Sequence, residues 1–73
     1  MPFTPEQLAH IFSYHAPSPE QIEHYQAIRT KALELAQVIV AHTPPSPDQT
    51  TAIRKLRECV MVANSSIALR GQF

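Results

Sequence analysis

The chain has 73 residues, six Lys or Arg against six Asp or Glu, and a single cysteine, Cys59. A core this small scarcely offsets a chain-ordering cost of about 1.5 kcal/mol per residue, so stabilising partners are expected. The even charge balance argues against general DNA or RNA binding, one cysteine excludes an intrachain disulfide, and no apolar stretch reaches membrane-spanning length.

The first helix-start signal is Thr4-Pro5-Glu6-Gln7. A hydroxyl that accepts from a free N–H, a proline at the first helical position, an acid at the positive helix end and a Gln that closes the capping box together predict a helix over 5–13. It carries Leu8, Ala9, Ile11 and Phe12 and is too short to be stable alone. "MPFTPEQ" lacks the basic region and apolar run of a secretory leader, so a cytoplasmic protein is expected.

Ser18-Pro19-Glu20-Gln21 repeats the signal and predicts a second helix over 19–42, with Tyr25, Ile28, Ala32, Leu35 and Ile39 at alternating spacings of three and four. "HTPPS" cannot continue it, because proline lacks the N–H and disfavours helical geometry in the residue before it. Ser46-Pro47-Asp48-Gln49 then starts a third helix over 47–69, where Ile53, Leu56, Val60, Ala63 and Ile67 keep the same rhythm. The expected fold is all-α: a short N-terminal helix followed by a long antiparallel two-helix hairpin, one domain over 1–73. Second apolar strips, Leu33, Ala36 and Val40 on one helix and Cys59, Val62 and Leu69 on the other, need a further surface. The first helix covers part of them in this expectation, and other protomers cover the rest.

Few residues suggest chemistry. His10, His15, His24 and His42 include no pair at the i,i+4 spacing of a helical metal site. Cys59, beside Val60, Met61 and Val62, is expected to be a packed thiol, and Glu20 and Glu23 to serve the helix dipole. Neither an enzyme nor a cofactor is implied. Arg54, Lys55 and Arg57 suit a solvated face. Arg70, on the next step of the seam before Gly71, suits either a helix C-terminus or a phosphate at a subunit junction. Tyr14 and His15 suit either a staple against Gln21 and Ile22 or an aromatic face for a base, with Arg29 and Lys31 supplying charge.

Four landmarks occur in order: Tyr14-His15 followed by Pro17-Ser18-Pro19-Glu20-Gln21; Ile28-Arg29; the Thr43-Pro44-Pro45-Ser46 turn; and Met61-Val62-Ala63-Asn64-Ser65-Ser66-Ile67-Ala68. Together they resemble the helical-hairpin domain of phage anti-CBASS proteins, sponges that sequester cyclic oligonucleotide signals, a domain shared with an anti-Thoeris sponge family. The resemblance covers nearly the whole chain after Ser13. It implies a homohexamer in the infected host's cytoplasm that binds cyclic dinucleotides between protomers and cyclic trinucleotides in separate pockets, without hydrolysis. By the same resemblance Tyr14 stacks on a base, Arg29 meets cyclic dinucleotide phosphates with His15 and Lys31 as neighbours, and Asn64 and Arg70 belong to the trinucleotide site. Phe12 is then expected to pack the first helix onto the hairpin while Tyr14 turns to the ligand. Relatives often carry tryptophan where this chain has Val62. Anti-Thoeris sponges that bind cyclic ADP-ribose isomers carry an extra N-terminal domain for which the chain is too short, so cyclic dinucleotides and trinucleotides are preferred. The competing expectation is an oligomeric helical adaptor that docks a protein and binds no nucleotide.

Overall fold

A computed structural model describes residues 3–72; Met1, Pro2 and Phe73 of the expected domain lie outside the described residues. The described residues form three helices and no strand: α1 (Pro5–Ile11), α2 (Pro19–His42) and α3 (Pro47–Ala68). Thr4 and Ser18 close full capping boxes. Each hydroxyl accepts from the backbone N–H three residues on, while Gln7 and Gln21 accept from the cap's own N–H through Oε1.

The third cap departs from expectation. Ser46 Oγ accepts from the Gln49 N–H, yet the Gln49 side chain does not return to close the box. Its Nε2 donates instead to the Thr43 carbonyl at 3.1 Å and to Thr43 Oγ1 at 3.0 Å. The proline turn brings the last carbonyls of α2 within reach, and a free carbonyl at a helix end is a better acceptor for an amide than water is a substitute for it. At the other end of the hairpin, Gln21 Nε2 donates to the Ile67 carbonyl at 3.1 Å. The two glutamines tie the start of each long helix to the end of the other, which fixes α2 and α3 as an antiparallel pair.

The inner seam consists of half-buried Tyr25, Ile28, Ala32, Ala36 and Ile39 facing Ile53, Leu56, Val60, Ala63 and Ile67. Leu35, expected in that seam, is 49% exposed, and Ala36 from the expected outer strip takes its place. Methyl side chains at Ala32 and Ala36 let the helix backbones approach, whereas Leu35 is one step round the helix. Leu69 is also half-buried. The other outer-strip residues, Leu33, Val40, Cys59 and Val62, are exposed within the single chain. Cys59 is therefore not the packed thiol expected; it lies one residue off the Leu56–Val60 seam.

Nor does α1 cover these strips. No α1 Cα comes within 8 Å of a Cα in α2 or α3, and Phe12 is 83% exposed instead of packing α1 onto the hairpin. The helix ends at Ile11, and a hydrogen-bonded turn at Phe12 and Ser13 leads it away. The molecule is consequently flat, 46 × 32 × 15 Å, and none of its described residues is fully buried.

Candidate functional site

A hollow of about 400 Å³ opens where the α1–α2 connector meets the end of α3. The connector contributes Tyr14 and His15, α1 contributes His10, α2 contributes Gln21, and the segment after α3 contributes Arg70. Tyr14 is 86% exposed, so it does not pack as a staple and presents its ring to solvent at the hollow. His15 is held in place: its Nε2 lies 2.7 Å from the His10 carbonyl oxygen and 3.4 Å from Ser13 Oγ. The Ser13 hydroxyl donates to the same carbonyl at 2.9 Å.

Arg70 is placed by an unusual helix end. The Gly71 N–H donates to the Ser66 carbonyl at 2.9 Å and the Arg70 N–H to the Ile67 carbonyl at 3.1 Å, the two bonds of a Schellman motif. In that motif the residue after the C-cap is left-handed and is usually glycine. Here it is Arg70, at φ 54, with Gly71 following at φ 75. A left-handed non-glycine residue costs about 1–2 kcal/mol. Backbone strain of this kind gathers at ligand sites, and this strained residue brings a guanidinium to the hollow.

A second depression, about 380 Å³, lies along the side of the hairpin between α2 and α3. Its floor is apolar, with Ala32, Leu33, Leu56 and Val60, and Arg29 and Arg57 are among its lining residues. Among the described residues, neither hollow is lined by Asp or Glu. The chain is neutral overall, and three of its six Lys and Arg residues, Arg29, Arg57 and Arg70, line these two hollows.

The sequence-predicted site residues thus fall into different places. Tyr14, His15 and Arg70 share the end hollow, although Tyr14 and Arg70 were expected in separate sites. Arg29, expected beside Tyr14, lines the side groove of the same chain. Lys31 lines neither, and its Nζ pairs with Glu34 at 3.1 Å. Asn64 is half-buried one turn from the Gln21–Ile67 link, and its Oδ1 is buried without a hydrogen-bond partner. A buried, unpaired acceptor is a place where an incoming N–H would be favoured. Two residues enter that sequence reasoning did not place, His10 and Arg57. His10 carried no signal beyond its place on the short helix, while Arg57 was hidden within a basic run. Lys55 of that run is paired with Glu58 at 3.4 Å. Among the described residues no group of three or more His, Cys, Asp or Glu could hold a metal ion.

No curated protein matches the chain, and no solved structure matches it. One family model does: "Acb2/Tad1, hairpin domain", over residues 4–68. The match spans α1, the connector that carries Tyr14 and His15, and both helices of the pair, ending just before Arg70. Matched by this family model over residues 4–68, the chain belongs to the Acb2/Tad1 hairpin-domain family, the anti-CBASS and anti-Thoeris sponges that share a helical hairpin.

Proposed function

We propose that the protein is a phage-encoded sponge that binds cyclic dinucleotides, such as cyclic GMP-AMP, and cyclic trinucleotides, and holds them without hydrolysis. It acts as a homohexamer of hairpins in the cytoplasm of an infected bacterium and blocks CBASS immune signalling. The observation that carries this reading is the end hollow, where an exposed tyrosine ring, a guanidinium and two imidazoles converge with no Asp or Glu side chain among the described lining residues. Bases stack on aromatic faces and phosphodiesters pair with guanidinium, so the inventory suits a cyclic nucleotide. On this reading Tyr14, His15 and Arg70 act on one ligand from one chain. Arg29, Lys31 and Asn64 contribute through the side groove or from a neighbouring protomer.

A second reading is favoured by the exposed apolar residues Leu33, Val40, Met61 and Val62: a helical adaptor that docks a protein partner. One calorimetric titration against a panel of cyclic dinucleotides and trinucleotides separates them. The sponge binds at least one member, and proteolysis of the complex followed by chromatography returns that nucleotide intact. Linear product above a no-protein control would make the protein a phosphodiesterase; failure to bind any member would leave the adaptor.

A further inference from the structure

We infer that Arg57 is a second phosphate-binding residue, and that together with Arg29 it makes the side groove select a cyclic nucleotide carrying two phosphodiesters. The inference rests on the proposed binding of cyclic nucleotides and adds to it a residue and a charge count. Arg29 stands four residues before Leu33 on α2, and Arg57 four residues before Met61 on α3, so each arginine belongs to the helical stripe that walls the groove. The Gln21–Ile67 link sets the register of the two walls: Arg29 is eight residues beyond it on α2, and Arg57 is ten residues before it on α3. The two side chains therefore start from opposite walls within about one helical turn, ~5 Å, along the axis.

The charge pattern around the groove separates Arg57 from the rest of its basic run. Among the described residues Lys31 pairs with Glu34 and Lys55 with Glu58, whereas Arg29 and Arg57 have no ion pair and both are exposed. Arg54 lies outside the lining. Two like charges at one groove, with no Asp or Glu among its described lining residues, repel one another and favour a guest that carries two negative charges. Guanidinium meets a phosphodiester through a planar pair of N–H donors, a fit that lysine does not reproduce. Between the arginines the floor is apolar, with Ala32, Leu56 and Val60, and the described lining residues offer no further side-chain donor. Two phosphodiesters satisfy both arginines, and a third finds no partner in the groove.

The test is calorimetry on the full chain with cyclic GMP-AMP and with cyclic tri-AMP, alongside light scattering on each variant. Arg57→Gln should weaken cyclic GMP-AMP binding about 10- to 100-fold and change cyclic tri-AMP binding by less than about twofold. Arg57→Lys, which keeps the charge and loses the planar fork, should give an intermediate loss. Arg54→Gln, on the same helix and outside the groove's lining, should change neither; an equal loss there would make the effect one of overall charge and overturn the inference. Unchanged cyclic GMP-AMP affinity in Arg57→Gln, or a loss at least as large for cyclic tri-AMP, also overturns it. If the glutamine variant alone loses its assembled mass, the lysine variant decides by the same comparison. Loss of mass in both assigns the groove to a second copy of the chain and overturns the inference. Each of these outcomes leaves the sponge standing. Absence of binding by both nucleotides in the wild type overturns the sponge reading and the role of Arg57 with it.

Discussion

Arg70 and Tyr14 show how a side chain can be poor for the fold and suited to a ligand. Arg70 holds a left-handed backbone that glycine would adopt without strain, at the position of the Schellman motif where glycine is usual. Arg70→Gly should therefore raise stability by roughly 0.5–1 kcal/mol, the relieved strain less the extra chain entropy of glycine, while weakening ligand binding at the end hollow. Thermal unfolding and calorimetry on the same sample read both effects; a loss of stability would mean that the Arg70 side chain supports the helix end. Tyr14 is nearly solvent-exposed, so Tyr14→Ala should change stability by no more than about 0.5 kcal/mol. The loss of a stacking face, about 1–3 kcal/mol, should weaken binding of the same ligand roughly 5- to 150-fold. Because both residues line one hollow, their variants should impair the same nucleotide. If each impaired a different one, Tyr14 and Arg70 would belong to separate sites in the assembly.

The hairpin is held at each end by a glutamine that also belongs to a helix start. Gln21 does both tasks with its two amide atoms: Oε1 accepts from the Ser18 N–H at 3.0 Å, and Nε2 donates to the Ile67 carbonyl at 3.1 Å. Gln21→Glu keeps the acceptor and loses the donor, leaving a carboxylate against a carbonyl. It should destabilise the protein by about 1–2 kcal/mol in denaturant unfolding. Gln7→Glu on α1, where the glutamine serves a capping box, should be neutral or slightly stabilising, since the added charge meets the positive helix end. Equal effects at the two positions would mean that the Gln21–Ile67 bond contributes nothing beyond the cap. The link also bears on the site, because it sets the start of α2 beside the end of α3, the junction where the hollow opens.

A single chain leaves apolar side chains on both of its broad faces and has no fully buried residue among those described. Such a molecule gains little from burial compared with its ordering cost. Light scattering at micromolar concentration should give a mass several times the monomer's 8.2 kDa, and the unfolding midpoint should rise with protein concentration. Val62, 66% exposed on the outer face of α3, is a sensitive position. Val62→Asp should lower the assembled mass, since a charge buried between chains without a partner is strongly unfavourable. A well-folded monomer in the wild type would remove the proposed hexamer and any pocket shared between protomers.

Local chemistry was enough to locate the helices. Proline, a hydroxyl cap and an acid act within one turn, so the three starts at Pro5, Pro19 and Pro47 could be read from neighbouring residues, as could the break at Pro44 and Pro45. The hairpin followed from the apolar rhythm and the short turn. Choices made between equivalent neighbours were a different matter. Whether Leu35 or Ala36 faces α3 depends on how closely two backbones approach, and both satisfy the spacing rule. Phe12 looks like core because it is large and apolar, yet the turn after Ile11 points it outward. The shared hollow of Tyr14 and Arg70 joins residues 56 positions apart in the sequence. Nothing local records that proximity: it arises only when the Gln21–Ile67 link closes the pair and a left-handed Arg70 turns the chain back, so it belongs to the folded molecule.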